Sequence, residues 1–176
     1  MVDVSGKPPL VRRAVAEGCF VARPQTIDAI VGPGVGLGSG LGSAAAAASD
    51  GGGPAGGMDA ATRLPKGDAI AAARIAGILA AKRCGELIPL CHTLPLEHVA
   101  LDFERIGPER LRIVASTKSV GRTGVEMEAL VAVATAALTL WDMTKAIDGA
   151  LRIDAITLVE KTKSDLAQSG AGDPAG

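Results

Sequence analysis

The chain has 176 residues, a length that predicts one domain whose core needs no disulfide or structural metal. Its 18 Lys and Arg residues stand against 19 Asp and Glu residues, so the net charge is −1. The general basic footprint of a nucleic-acid-binding protein is therefore missing. With two Phe, one Trp and no Tyr, the chain also lacks the aromatic faces on which single-stranded bases stack.

The cysteines and the apolar runs predict a cytoplasmic protein. Cys19, Cys84 and Cys91 are widely spaced and odd in number, and no apolar leader opens the chain, which indicates reduced thiols. The longest apolar run, at 129–141, has 13 residues, whereas a membrane span needs about 20. We interpret this run as part of a buried core helix.

A glycine- and alanine-rich segment interrupts the first half of the chain. The 26 residues at 32–57 include 11 Gly and 6 Ala, a composition that buries too little apolar surface to offset its ordering entropy. We expect a single domain at 1–165, with a flexible insert at about 32–62 and a loose tail at 166–176. The stretch at 40–45 matches the G-x-G-x-x-A dinucleotide pattern, but its flanking strand and acidic residue are not evident, which favours a chance match.

Hydrophobic periodicity and turn residues predict the elements outside the insert. In chain order these are a short strand at 18–23, a short helix at 24–31, a helix at 68–83 capped by Asp68, a β-hairpin of strands at 99–105 and 110–116, a long buried helix at 125–147, and a last strand at 151–161. Because the strands pair as hairpins, we predict an α+β fold, an antiparallel sheet with helices on one face.

The apolar segment at 87–96 contains His92 between Pro89 and Pro95, which favours an irregular loop. His92 is either a proton-transfer group or a packed core histidine, and the sequence leaves both open. Zinc could take its ligands from two cysteines and both histidines, namely Cys84, Cys91, His92 and His98. Their spacing fits no standard zinc pattern, so we expect no resident metal and interpret the two cysteines as small buried hydrophobes.

The polar residues at the ends of the predicted helices have both a structural and a functional interpretation. Lys66 is close to the start of a helix, where it either binds an anion such as phosphate or is a solvated loop lysine. Thr123 can cap the long helix, with Glu126 as its capping-box partner. Capping does not explain Glu128, which begins an otherwise apolar helix.

Asp142 and Lys145 share one face near the end of the long helix, at i,i+3 spacing. They form either an ordinary surface ion pair or an acid/base dyad in which each charge sets the other's pKa. Glu128 and Asp142 are 14 residues apart, about 21 Å along a helix, so both cannot contact one small substrate from the same helix. A site that uses both needs a second chain, and the apolar breadth of this helix favours a subunit contact.

Several motifs carry a family likeness, and they follow one another in order. They are Lys66–Asp68, Ala73–Ile78, Ala81–Arg83, Leu87–His92, Thr123–Leu130 and Asp142–Ala146. Together with the N-terminal residues 1–5 and Arg12, they strongly resemble the molybdenum cofactor biosynthesis protein C family, the cyclic pyranopterin monophosphate synthases. The resemblance covers nearly the whole chain apart from the insert and the tail.

This resemblance implies a ferredoxin-like α+β fold assembled as a homohexamer, a trimer of dimers with active sites at the dimer interface. It implies a cytoplasmic lyase of molybdenum cofactor biosynthesis with no nucleic-acid or membrane partner. The implied substrate is 3',8-cyclo-7,8-dihydroguanosine 5'-triphosphate, which is converted to cyclic pyranopterin monophosphate and pyrophosphate by acid/base rearrangement and cyclic phosphate formation. No resident cofactor is implied, although Mg²⁺ could accompany the triphosphate.

The resemblance also assigns site residues. The implied catalytic residues are Asp142, Lys145 and Lys66, and the implied substrate-binding residues are Leu90, Cys91, His92, Met127, Glu128, Glu126 and Arg12. His92 and Glu126 are further candidates for catalysis. Proton transfers could be shared by Asp142, Lys145 and His92, and Lys66 and Arg12 could stabilise the charge of pyrophosphate.

Two departures from the family pattern motivate an alternative function. One is the insert, and the other is the end at 161–165, which reads K-T-K-S-D without the two glycines of the family's K-[ST]-G-G-K-S-G. Lys161 and Lys163 are therefore uncertain phosphate contacts. The alternative is a noncatalytic nucleotide-binding or scaffold protein. The residues that argue against it are Lys66, His92, Glu128, Asp142 and Lys145, because binding alone does not require this acid/base set.

Overall fold

A computed structural model of the chain describes residues 1–32 and 64–166. The insert predicted at 32–62 lies outside the described residues except for its first residue, Gly32, and so does the tail predicted at 166–176 except for Leu166. The G-x-G-x-x-A match also lies outside them. The elements in chain order are β1 (Leu10–Val21), α1 (Pro24–Val31), α2 (Ala69–Lys82), α3 (Cys84–Leu87), β2 (His98–Gly107), β3 (Arg110–Gly121), α4 (Glu126–Thr144) and β4 (Arg152–Ser164).

The four strands form one antiparallel sheet in the order β2-β3-β1-β4. The β2–β3 hairpin lies at one edge, and β4 pairs with β1 at the other edge. At the start of β1, Arg12 has Ser119 of β3 on one side and Lys163 of β4 on the other. The predicted α+β class with an antiparallel sheet is confirmed.

The helices cover one face of this sheet. Alternate residues of β1, namely Ala14, Ala16 and Phe20, belong to a single buried cluster with side chains of α1, α2 and α4. Small residues allow close packing, since a Cβ added at Gly18 would lie 2.8 Å from Cγ1 of Val133 in α4. The three residues between these positions, at 13, 15 and 17, are not buried and belong to the opposite face of the sheet.

Several element boundaries differ from the sequence prediction. The strand predicted at 18–23 begins at Leu10, because Arg12 and Arg13 hide the alternation of its first half. The long helix ends at Thr144 rather than at residue 147, and the last strand continues to Ser164. The single turn α3 was not predicted. By contrast, α1 spans the predicted residues, and α2 differs by one residue at each end.

α4 is the one described helix that is long and apolar enough to cross a membrane by length and composition, with a mean hydropathy of 1.3 over 18 residues. Its buried face packs against α2 and against the strands β1, β3 and β4. A helix that is apolar on most of its circumference is typical of a protein core. This arrangement is the one that the 13-residue apolar run predicted.

α2 crosses α4 at Gly77, where a Cβ would lie 2.6 Å from Cδ2 of Leu101 and 2.9 Å from the backbone oxygen of Ala132. Because the helix backbone cannot move aside cheaply, we expect Gly77→Ala to lower the free energy of unfolding by about 1–3 kcal/mol. Urea denaturation measures this loss. Gly149→Ala, with no atom within 4 Å of the added Cβ, is the matched control. Equal stability of the two variants would contradict close packing at Gly77.

Candidate active site

Three of the predicted site residues meet at the end of α4. The Nζ of Lys66 donates hydrogen bonds to Oδ2 of Asp142, at 2.5 Å, and to the backbone oxygen of Asp142, at 2.9 Å. The Nζ of Lys145 lies 2.7 Å from Oδ1 of the same carboxylate. Asp142 is therefore held between two ammonium groups. We call these three residues the Asp142 cluster.

The start of α2 brings Lys66 to this position. Asp68 caps the helix as predicted, because its Oδ1 accepts a hydrogen bond of 2.9 Å from the backbone N–H of Ala71. The preceding Gly67 has a φ of +92°, a conformation that favours glycine and turns the chain into the helix. Lys66 contacts Asp142 while Gly77 lies beside Ala132, so α2 runs antiparallel to α4 and begins beside the last turn of α4.

The two lysines stabilise the ionised form of Asp142. The hydrogen bond from Lys145, followed by the one from Lys66, lowers the pKa of Asp142 to about 2, so this carboxylate is charged at neutral pH. All three side chains are about half exposed. Two positive charges and one negative charge leave a net charge of +1, which suits an anionic ligand such as a phosphate.

Removal of either lysine is expected to raise the pKa of Asp142. We expect a larger rise in Lys145→Met than in Lys66→Met, because the hydrogen bond from Lys145 contributes most to the lowering. NMR titration of the side-chain carboxyl carbon measures both shifts. The carboxyl of Asp154, whose pKa is lowered by Arg152 instead, is the internal reference and stays constant. An unchanged pKa in both variants would show that the cluster does not persist in solution.

A second group of predicted residues lies at the start of α4. Glu128 is only 2% exposed, and its Oε2 has no hydrogen-bond partner among the described residues. Burial raises the pKa of this carboxyl group. The Sγ atoms of Cys84 and Cys91 are 3.9 Å apart, next to Glu128. Cys84 is buried as predicted, whereas Cys91 is only half-buried.

The segment between α3 and β2 is irregular, as predicted. The Nε2 of His92 lies 2.9 Å from the backbone oxygen of Val2, so this hydrogen bond holds the N-terminal segment against the loop. Because a carbonyl oxygen only accepts, Nε2 carries a proton in this contact. Leu90 and Met127 are exposed, which leaves them free to contact a ligand or a second chain.

Basic residues of β1 and β4 lie near the same end of α4. Lys161 and Lys163 pair with Ala14 and Arg12 of β1 in the sheet, so all these side chains share the helix-covered face. Lys161 forms an ion pair with Glu126. The Nε of Arg12 is buried without a hydrogen-bond partner among the described residues. This end of the sheet therefore presents three cations.

The capping box predicted from Thr123 and Glu126 is wrong. The residue at the cap position of α4 is Val125, no side chain caps the helix, and Glu126 pairs with Lys161 instead. Burial works against the charged form of Glu126, but the hydrogen bond from Lys161 and the charge of Arg12 hold its pKa below the usual value. Sequence reasoning missed this pair because it depends on the register of β4 against β1.

The structure does not bring the four possible zinc ligands together, because neither histidine belongs to the group that contains Cys84 and Cys91. His92 is hydrogen-bonded to Val2, and His98 opens β2 beside Lys118, on the sheet face that none of the described helices covers. Among residues 1–32 and 64–166, the group that could hold a metal ion consists instead of Cys84, Cys91 and Glu128.

The predicted site residues thus form two separate groups at the two ends of α4. Glu128 and Asp142 are 14 residues apart in this helix, about 21 Å. The expectation that a site using both groups takes them from two chains stays a prediction.

Comparison with known proteins identifies the family. The MoaC family model matches residues 1–164. Cyclic pyranopterin monophosphate synthase 1 of Mycobacterium tuberculosis is 44% identical over 175 residues, which cover 98% of this chain and 86% of the relative. Synthase 3 of the same organism is 47% identical over 162 residues, 92% of this chain and 75% of the relative. The synthase of Roseiflexus sp. is 44% identical over 163 residues, 92% and 85% of the two chains. Because the family model matches residues 1–164, the chain belongs to the MoaC family.

Proposed function

We propose that the protein is a cyclic pyranopterin monophosphate synthase of molybdenum cofactor biosynthesis. In this reaction, 3',8-cyclo-7,8-dihydroguanosine 5'-triphosphate rearranges to cyclic pyranopterin monophosphate, and pyrophosphate leaves. Family membership and the printed names of the relatives support the proposal. The structural observation that carries it is the placement of one ionised carboxylate, Asp142, between Lys66 and Lys145.

The proposed assembly is a homohexamer, a trimer of dimers, with each site at a dimer interface. The order β-α-β-β-α-β, with α1 and α3 as additional helices beside α2, and the strand arrangement β2-β3-β1-β4 support a ferredoxin-like fold for the subunit. Apolar side chains exposed on α4 support a subunit contact on this helix. They include Leu138, which is 60% exposed, and Trp141 and Met127.

In the proposed site, the Asp142 cluster belongs to one subunit and acts on the reacting phosphates and ring atoms. Lys66 and Lys145 stabilise negative charge on the leaving pyrophosphate, and Asp142 keeps both ammonium groups in place. Because its pKa is about 2, Asp142 starts the reaction as the anion and can accept a proton but not donate one. A lysine of the cluster is the proton donor in this scheme.

The start of α4 in the partner subunit supplies the rest of the proposed pocket. Leu90 and Met127 contact the ring system, with Cys91 between the loop and the helix. Glu128, with its raised pKa, hydrogen-bonds polar ring atoms, and His92 is placed to transfer a proton. Cations for the triphosphate come from Arg12, with Lys161 and Lys163 beside it in the sheet.

We propose that the protein has no resident cofactor and is cytoplasmic. Proton transfers and charge stabilisation by side chains are sufficient for the reaction, so the proposal includes no resident cofactor, and Mg²⁺ accompanies the triphosphate. The chemistry of a nucleotide-derived substrate suits the cytoplasm. The net charge of −1 agrees with a protein that has neither a nucleic-acid nor a membrane partner.

The alternative function is a nucleotide-binding protein that has kept the fold and lost catalysis. It is motivated by the K-T-K-S-D end of β4, where the family pattern has two glycines. The test is to supply the cyclised dihydro-GTP to the purified chain and to follow pyrophosphate release and the pterin product. Turnover supports the lyase. Binding of the nucleotide without any pyrophosphate release would overturn the lyase and favour the binding protein.

A further inference from the structure

Two thiols and a carboxyl group form a compact cluster between three elements. Cys84 opens α3, Cys91 lies in the loop that follows α3, and Glu128 is in the first turn of α4. One ligand atom from each residue lies within 4.8 Å of the other two. The third cysteine, Cys19, is buried in β1 and does not belong to the cluster.

The sulfur–sulfur distance suits a shared metal ion better than a disulfide. Two thiolates bound to a tetrahedral Zn²⁺ at about 2.3 Å each are about 3.8 Å apart. The Sγ of Cys84 donates a hydrogen bond of 3.9 Å to the Sγ of Cys91, and at this distance two thiolates could share one ion with almost no movement. A disulfide needs about 2.05 Å between the two sulfurs, and therefore a shift of the loop.

An independent observation points to a missing ligand at the same place. The Oε2 of Glu128 has no hydrogen-bond partner among the described residues, and the residue is 2% exposed. An unpartnered buried carboxyl oxygen is costly unless a ligand satisfies it. A cation would satisfy this oxygen, because it favours the charged form of the carboxyl group.

We propose that Cys84, Cys91 and Glu128 form a binding site for a soft divalent metal ion such as Zn²⁺. The ion takes two sulfur ligands and one carboxylate oxygen, and its fourth position opens to solvent beside the half-buried Cys91. Binding releases the thiol protons to solvent and therefore strengthens as the pH rises. One statement rests on the proposed function: a bound ion occupies residues of the substrate pocket and blocks substrate binding.

Titration with Cd²⁺ tests the site directly, because cadmium thiolates absorb in the ultraviolet. The full chain is reduced with a phosphine, stripped with a chelator and titrated without substrate. We expect one ion per chain, at least a tenfold weaker affinity in Glu128→Gln, and a band reduced to half or less in Cys91→Ser and Cys84→Ser, each of which keeps one thiolate. Cys19→Ser is the matched control and keeps the band. No band in the parent chain, or an unchanged band in Cys91→Ser, would overturn the proposal.

Two further measurements keep the test decisive. Circular dichroism of each variant shows whether it is folded. If Cys84→Ser does not fold, the half-buried Cys91→Ser decides alone. Turnover of the parent enzyme is then measured with saturating Zn²⁺ and after chelation, and we expect inhibition that the chelator reverses. Full turnover with the ion bound would overturn the block. Absence of turnover in the chelated chain after Mg²⁺ is restored would count against the proposed lyase, whereas the Cd²⁺ titration would still decide the metal site.

Discussion

Asp142→Asn is expected to lower turnover by roughly 10²- to 10⁴-fold, the range for loss of an acid/base group. The amide keeps the size of the side chain but loses the negative charge that holds Lys66 and Lys145 on either side of it. Asp142 is about half exposed, so the fold should persist. Steady-state kinetics of pyrophosphate release measures the change, and a lower kcat with a similar KM indicates loss of transition-state stabilisation.

Asp154→Asn is the matched control for this substitution. Asp154 is also an ion-paired carboxylate with a lowered pKa, since Arg152 lies 2.9 Å from its Oδ2. It lies at the start of β4 and touches none of the Asp142 cluster in the structure. We expect its turnover to equal that of the parent chain. Unchanged turnover in Asp142→Asn as well would refute the catalytic role of the cluster.

Asp148→Ala is expected to lower the free energy of unfolding by about 3–5 kcal/mol, as for other broken buried networks. The Asp148 side chain is fully buried. Its Oδ2 accepts hydrogen bonds from the backbone N–H of Arg23, at 2.8 Å, and from Oγ1 of Thr26, at 2.9 Å. Its Oδ1 accepts one from the N–H of Ala150, at 2.8 Å. Alanine would leave all three donors unpaired, and urea denaturation measures the loss.

The contribution of Asp148 should also depend on pH. Burial alone would raise its pKa, but the hydrogen bonds from Arg23, Ala150 and Thr26 together lower it below the usual value. The stabilisation is therefore complete above the unfolded-state pKa of about 3.9 and is lost as the pH falls through the folded-state pKa. Asp148→Asn should lose less stability on acidification than the parent chain. Identical acid profiles would show that Asp148 does not couple folding to pH.

Local signals in the sequence predict a large part of the fold. Pro24 and Gly32 bracket α1, Asp68 caps α2, and alternation on both sides of the turn at 107–109 gives the β2–β3 hairpin. The predicted β1 is too short, because arginines in its first half interrupt the apolar pattern expected of a strand that lies between two others. Arg13 is compatible with this strand because it lies on the sheet face opposite the helices, which sequence alone does not reveal.

The two halves of the site differ in how far sequence could predict them. Asp142 and Lys145 follow from i,i+3 spacing on one helix, a local rule. Lys66 joins them through the packing of α2 against α4, so the family resemblance, rather than periodicity, pointed to it. The Lys161–Glu126 pair needs the register of an edge strand, and the capping box failed because α4 begins at Glu126, three residues after Thr123.

We propose that each active site combines the end of α4 from one chain with the start of α4 from another. The most direct test mixes two variants, Asp142→Asn and Glu128→Gln, each of which should be inactive alone. When equal amounts of the two variants assemble at random, about half of the dimers contain one chain of each variant. In each such dimer one of the two sites receives both native residues, so we predict about one quarter of the parent turnover. A co-assembled mixture no more active than either variant alone would contradict the shared site.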